Sequence, residues 1–272
     1  APIVATSEPA AAERYMRMWS ISKVATMIAL LQLLGWGERP GEMPSAEVAS
    51  ALAGALTRSE NCRQRRVVLE LQRAAGGIAA TRRALAEVLA QAGGRIVPGS
   101  QVEAPESLCV PYLEEQAEIP EPLAPALLLG TSHWRVGDAA RLVHSLAVGT
   151  YGTAISSQVL ELMRARKQPS RESEPGELTV PLNWGAGAAF PGLIPAYKAG
   201  WGGSLNGNFL AAQIAVVPIG GGDHLALAVM FHPDAQPSRD DPGITAAPEA
   251  VEAVMDAVRL AAFPPSRAIG ER

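Results

Sequence analysis

Residues 24–34 form an almost unbroken apolar run closed by Gly35-Trp36-Gly37, which predicts a helix buried on most sides, opened by Ser20. Pro44-Ser45 starts a short helix over 46–56. Helical spacing recurs over 62–75 and 78–92. Each of those segments is followed by paired glycines, Gly76-Gly77 and Gly93-Gly94, in the place of C-terminal caps. Residues 95–122 carry prolines at 98, 105, 111, 120 and 122 and predict a long loop. Helical patterning resumes over 123–129, 135–148 and 156–166, and residues 167–195 read as a second loop. The period then shortens to two. Residues 197–204, 209–217 and 225–231 predict three strands, the last two joined by the hairpin signal Gly220-Gly221-Gly222-Asp223. Pro248 is expected to open a final amphipathic helix ending near Phe263, and residues 3–6 are a short strand candidate. The order is a small strand, a block of helices, three antiparallel strands and a terminal helix.

Composition narrows the class. The chain has 272 residues, enough for one large domain or two intimate lobes with a real core, and no internal repeat or linker divides it. Apolar residues are 48% and charged residues 18%, which is globular rather than disordered. The net charge of −4 supplies no basic field for nucleic acid or an anionic membrane, and no stretch has the apolar length of a membrane span. The chain starts Ala1-Pro2-Ile3 without a charged or apolar leader, so this numbering holds no signal peptide. Cys62 and Cys109 are either two small buried thiols or one disulfide.

Three short motifs carry candidate chemistry: Ser20-Ile21-Ser22-Lys23, Ser59-Glu60-Asn61 and Lys198-Ala199-Gly200. Each alone is a weak signal, and the simpler readings are a capped helix start, a polar N-cap and a solvated strand lysine. A competing Ser204-Leu205-Asn206 lies after the third motif and out of order. Lysine usage strengthens the set. The chain has only Lys23, Lys167 and Lys198 against twenty arginines, and two of the three lysines sit in motifs. A lysine can give up its proton when buried, and an arginine effectively cannot. Three residues apart on a helix, Ser20 and Lys23 share a face, and a serine at a helix N-terminus feels the positive end of the dipole. A neutral Lys23 amine could take the Ser20 proton if burial and nearby cations favour its uncharged form.

In that order and in those settings the motifs resemble those of class A serine β-lactamases and penicillin-binding proteins. The likeness covers roughly residues 15–262. It implies an α/β (α+β) fold of the β-lactamase/transpeptidase type, an antiparallel sheet with the terminal helix packed on it plus an all-helical lobe. The whole chain, 1–272, would be a single domain, with the helical lobe at about 20–166 and the sheet lobe at about 1–19 and 195–272. The resemblance also implies roles. Ser20 would be the nucleophile, Lys23 its base, Ser59 a proton relay, and Lys198 a partner for the Ser59 hydroxyl. Asn61 would donate to the substrate amide oxygen. Gly200 and Trp201 would line the cleft, with the backbone N–H groups of Ser20 and Trp201 forming the oxyanion hole. No cofactor or metal is expected.

Four departures bear on the reaction. Ala199 stands where that family usually has a hydroxyl residue, and residues 209–217 carry no arginine, so two usual carboxylate partners are missing. No Glu-x-x-x-Asn pattern occurs in the proline-rich loop, although Glu103, Glu106, Glu114 and Glu115 are present. Only nineteen residues precede Ser20. The expectation is therefore a serine acyl hydrolase acting on a small-molecule amide or ester or a cell-wall peptide, with β-lactams among the candidates, exported and monomeric. The alternative is a degenerate binding module for cell-wall peptide or a protein partner. His133, His144, His224 and His232 are scattered along the chain, and Gly185-Ala186-Gly187 lacks the setting of a phosphate loop. Trp184, Phe190, Tyr197 and Trp201 approach the third motif, as core packing or as an apolar cleft wall.

Overall fold

The computed structural model describes residues 15–17, 19–36, 44–94, 96–97, 133–164, 185–190, 192–203, 209–231 and 243–263. The strand candidate at 3–6, the helix at 123–129, Cys109 and most of both expected loops lie outside the described residues. So do the side chains of Asn61, Cys62, His133 and Trp201.

Helix α1 (Ser22–Leu33) is the axis of the helical lobe. Every residue from Ser22 to Leu31 is buried, as its apolar run predicts. Helices α3 (Asn61–Ala75), α4 (Ile78–Gln91) and α6 (Thr153–Arg164) pack around it. On α3 the buried stripe is Gln64, Val67, Val68 and Leu71, at i, i+3, i+4 and i+7. The paired glycines end their helices as expected: Gly76 has φ 83°, and Gly77 N donates to Gln72 O at 2.9 Å. Helix α2 (Ala46–Ala53) leads toward α3, and α5 (Val136–Ala147) lies between the lobe and the sheet.

The main sheet is antiparallel, β4 (Ala196–Gly203), β5 (Phe209–Gly220) and β6 (Asp223–Phe231), in the order β4-β5-β6. Its two faces follow the period of two. Ala196, Ala212, Ile214 and Val216 face the helical lobe, with Ala226, Ala228 and Met230 beside them. Tyr197, Ala211, Ala215 and Val217 face the other way and pack on Val251 and Met255 of the terminal helix α8 (Gly243–Ala262). The sheet is thus the middle layer between the helical lobe and α8.

Some expectations need correcting. Helix α8 begins at Gly243, so Pro248 lies inside it and costs one backbone hydrogen bond instead of opening the helix. Residues 15–17, expected with the sheet lobe, form β1 (Tyr15–Arg17) of a separate small sheet. They pair with β3 (His133–Arg135), which also pairs with β2 (Ile96–Val97). Residue 135 ends that strand and caps α5. Within the expected second loop lies a one-turn helix, α7 (Ala186–Ala189). No helix among the described residues is long and apolar enough to cross a membrane.

Candidate active site

Ser20 lies in a 3-10 turn, Trp19–Ile21, that runs directly into α1. Ser20 sits three residues before Lys23 on this continuous helical stretch. The turn packs against β4, an edge of the main sheet among the described strands. Lys23 is 1% exposed and Lys198 2% exposed. Lys198 occupies the lobe-facing side of β4, flanked by Ala196 and Gly200, so the alternation of the strand aims it at the helices.

Ser59 is where the two lysines meet. Helix α2 continues into a wider π turn, Gly54–Arg58, which ends at Ser59 in the left-handed region, with φ 61° and ψ 23°. That conformation is uncommon for a residue other than glycine and marks a position held by its surroundings. Lys23 Nζ donates to Ser59 O at 2.5 Å and lies 3.4 Å from Ser59 Oγ. Lys198 Nζ donates to Ser59 Oγ at 2.9 Å and to Ala199 O at 2.8 Å. One hydroxyl thus bridges two buried amines from distant parts of the chain.

The surroundings of Ser59 explain its fixed conformation. Glu60 N donates to Gly54 O at 3.3 Å, and the Glu60 carboxylate pairs with Arg58 Nε at 2.5 Å and Arg63 Nε at 3.5 Å. A methyl group at Gly54 would come within 2.6 Å of that carboxylate and 2.7 Å of Arg63 Cγ, so the glycine is required for the packing. Gln64 fixes the turn against α1: its Nε2 donates to Thr26 Oγ1 at 3.1 Å, and Thr26 Oγ1 donates to Ser22 O at 3.0 Å. Sequence reasoning missed Glu60, Thr26 and Gln64 as site supports. Gln64 carried a signal, since a polar residue on the Val67–Val68–Leu71 stripe must be buried.

A lysine–serine–lysine bridge of helix, turn and strand, between a helical lobe and a helix-covered antiparallel sheet, is a specific arrangement. No family model matches the chain, and no curated protein matches it either. Solved structures do. An ancestral class A β-lactamase of Gram-negative bacteria aligns with 93% of this chain and 88% of its own at 17% identity and a TM-score of 0.55. A class A β-lactamase from Mycobacterium abscessus aligns over 94% and 88% at 14% identity and a TM-score of 0.54. The transpeptidase domain of the D,D-transpeptidase FtsI4 from Legionella pneumophila aligns over 90% and 77% at 18% identity and a TM-score of 0.50. The chain has the β-lactamase/penicillin-binding-protein fold.

Within this β-lactamase-type fold the remaining candidates separate. Phe190 and Tyr197 belong to the core between the sheet and α8, on the face away from Ser59, so they are core packing. Burial pushes the Tyr197 phenol above its ordinary range. Gly200 and Trp201 lie in β4 opposite Ala212 and Ala211. Asn61 is the first residue of α3. On the α8 side of the sheet, Gln213 is fully buried, sits opposite Ala199, and accepts a 2.6 Å hydrogen bond from Ala186 N, which anchors α7. Ala199 packs on that same side. A cleft of about 840 Å³ lies at the far end of α1, lined by Leu33, Trp36, Glu87 and Tyr151 among others, and shares no residue with the Ser59 junction. No group of three or more His, Cys, Asp or Glu residues able to hold a metal occurs among the described residues. Two of the histidines that look scattered in the sequence do meet, His144 and His224.

Proposed function

We propose that the protein is a serine acyl hydrolase in which Ser20 is the nucleophile. The observation that carries this reading is the bridge Lys23–Ser59–Lys198, with Ser20 on the turn just before Lys23. A neutral Lys23 takes the Ser20 proton as Ser20 Oγ bonds to the carbonyl carbon of an amide or ester. The tetrahedral oxyanion collapses, the C–N or C–O bond breaks, and the leaving group receives a proton through Ser59 Oγ. Lys198 orients that hydroxyl and adds positive potential to the cleft. Backbone N–H groups of Ser20 and of Trp201 on the edge strand stabilise the oxyanion. Water then hydrolyses the acyl-serine ester and releases the acid. Asn61 and Gly200 border the substrate, a small amide or ester or a cell-wall peptide. The protein acts as a monomer outside the cytoplasm.

A second reading, a binding module that keeps the fold without turnover, draws on Ala199. Its methyl replaces a hydroxyl and packs toward α8, and residues 209–217 offer no arginine for a substrate carboxylate. Incubation with a fluorescent penicillin and, separately, a fluorophosphonate decides between them. Labelling by either probe that Ser20→Ala abolishes supports the nucleophile. No labelling by either probe, with retained reversible binding of cell-wall peptide, establishes the binding module.

A further inference from the structure

We propose that His144 and His224 form a binding site for a divalent transition-metal ion on the face of the fold where α5 meets β6. His144 is in the last turn of α5, and His224 is the second residue of β6. His224 falls on the lobe-facing side of β6, with Ala226, Ala228 and Met230, and so points at α5. Its Nε2 lies 3.2 Å from His144 Nδ1, and the ring centroids are 5.3 Å apart with the planes tilted by 31°.

Those separations suit a shared ion. Two imidazoles bound to one tetrahedral ion at about 2.0–2.1 Å place their ligating nitrogens about 3.3 Å apart and their ring centres about 5.2 Å apart. The observed pair is within about 0.2 Å of both values, so an ion could enter without moving either element. Without metal, one imidazole donates its N–H to the other. Each imidazole ligates in its neutral form. Asp223, directly before His224, adds negative charge beside the pair. The nearest cation on the same helix face, Arg141, has its charge engaged: its Nη1 pairs with Asp138 at 2.8 Å. Neither histidine is fully buried, so water can complete the coordination. Two imidazoles with oxygen ligands suit Zn²⁺, Ni²⁺ or Cu²⁺ rather than Mg²⁺ or Ca²⁺.

The site stands apart from the Ser59 junction. His224 pairs with Pro218 near the hairpin end of β6, whereas Lys198 pairs with Ile214 on the far strand. Bound metal would staple α5 to β6 and raise thermal stability by mass action. The test uses Cu²⁺ and Zn²⁺ as probes on the full chain. The expectation is one saturable site per chain by calorimetry and, for Cu²⁺, electron paramagnetic resonance with superhyperfine coupling from two nitrogens. His144→Gln and His224→Gln should each weaken binding by more than about tenfold, since even second-shell changes at metal sites reach that size. Ser20→Ala should bind as the wild type does, so the outcome is independent of the hydrolase reading. Absence of saturable binding, a one-nitrogen spectrum from the wild type, or unchanged affinity in the two variants would overturn the proposal. The wild-type spectrum decides even if a variant fails to fold.

Discussion

Two buried polar junctions in this molecule use charge in opposite ways. At Ser59, two buried lysines share one neutral hydroxyl and donate to main-chain carbonyls. At Asp138, one fully buried carboxylate is shared by two guanidiniums: Arg135 reaches it through Nε at 2.9 Å and Nη2 at 3.1 Å, and Arg141 through Nη1 at 2.8 Å. The second junction offsets desolvation with opposite charge and ties β3 to the start of α5. The first gathers two amines around one hydroxyl. Attraction that is already satisfied holds a fold together, whereas two amines on one hydroxyl are what the proposed proton transfer requires. The two junctions should therefore respond oppositely to removal of their charges.

The largest contrast is expected at Lys23. Lys23→Met deletes the proposed base and should slow probe labelling at Ser20 by about 10²–10⁴-fold, the usual reach of general base catalysis. Chemical denaturation should show a loss of about 1–3 kcal/mol at most, the cost of leaving the Ser59 carbonyl without its donor. A variant that unfolds while its folded fraction still labels at the wild-type rate would reduce Lys23 to a structural residue. Asp138→Ala tests the other junction. Removing one partner of a buried charge cluster should cost about 3–5 kcal/mol in denaturant unfolding, with the labelling rate of the folded fraction unchanged. A loss of labelling at full stability would erase the distinction between the junctions.

How much of this was legible in the sequence depends on the range of the interactions. The α1 run and the glycine caps at Gly76 and Gly93 are local signals and could be read directly. Lys23 and Lys198 stood out because arginine supplies almost every other cation, and the structure brings both to Ser59. The small sheet was not legible, since strands of two or three residues carry no periodicity. Ser59 in the left-handed region was not legible either: its conformation runs against a serine's own preference and depends on surroundings beyond its local sequence. Pro248 misled because a proline usually marks a helix start, and here packing of α8 on the sheet outweighs the lost hydrogen bond. The His144–His224 contact joins residues 80 apart through helix-on-sheet packing, which no local pattern encodes.

A smaller effect is expected on the sheet's far face, which neither junction touches. Gly185 has φ 62°, and a methyl there would collide with the Gln213 carboxamide. Gly185→Ala should cost about 1–3 kcal/mol by overpacking and backbone strain. Combined with Gln213→Ala, which removes the acceptor for Ala186 N, the double variant should lose less than the sum of the two single losses, because the two changes share one contact. Labelling should be unchanged in both, since α7 lies across the sheet from Ser59. Full additivity in the double variant would locate the cost in the backbone alone.

The smallest and sharpest test is Gln64, which belongs to neither junction but ties α3 to Thr26 of α1. Gln64→Leu keeps the buried volume and removes the donor to Thr26. The stability loss should be about 1 kcal/mol, the net worth of one hydrogen bond, with Thr26 still satisfied by its own donation to Ser22 O. The effect on chemistry should exceed the effect on stability. Gln64 sits one turn into α3, just after Ser59-Glu60-Asn61, and without its anchor the Ser59 hydroxyl can drift from Lys23 by a fraction of an ångström. Misplacement of about 1 Å can cost about 10²-fold in rate, so even a partial drift should slow labelling several-fold more than the stability loss accounts for. Gln64→Glu, which loses the donor to Thr26 and adds a buried charge, should lose more stability than Gln64→Leu and label no faster. If Gln64→Leu instead labels at the wild-type rate, the Ser59 turn is held by Glu60 and its arginines alone, and the Ser59 junction owes its geometry to charge pairing just as the Asp138 junction does.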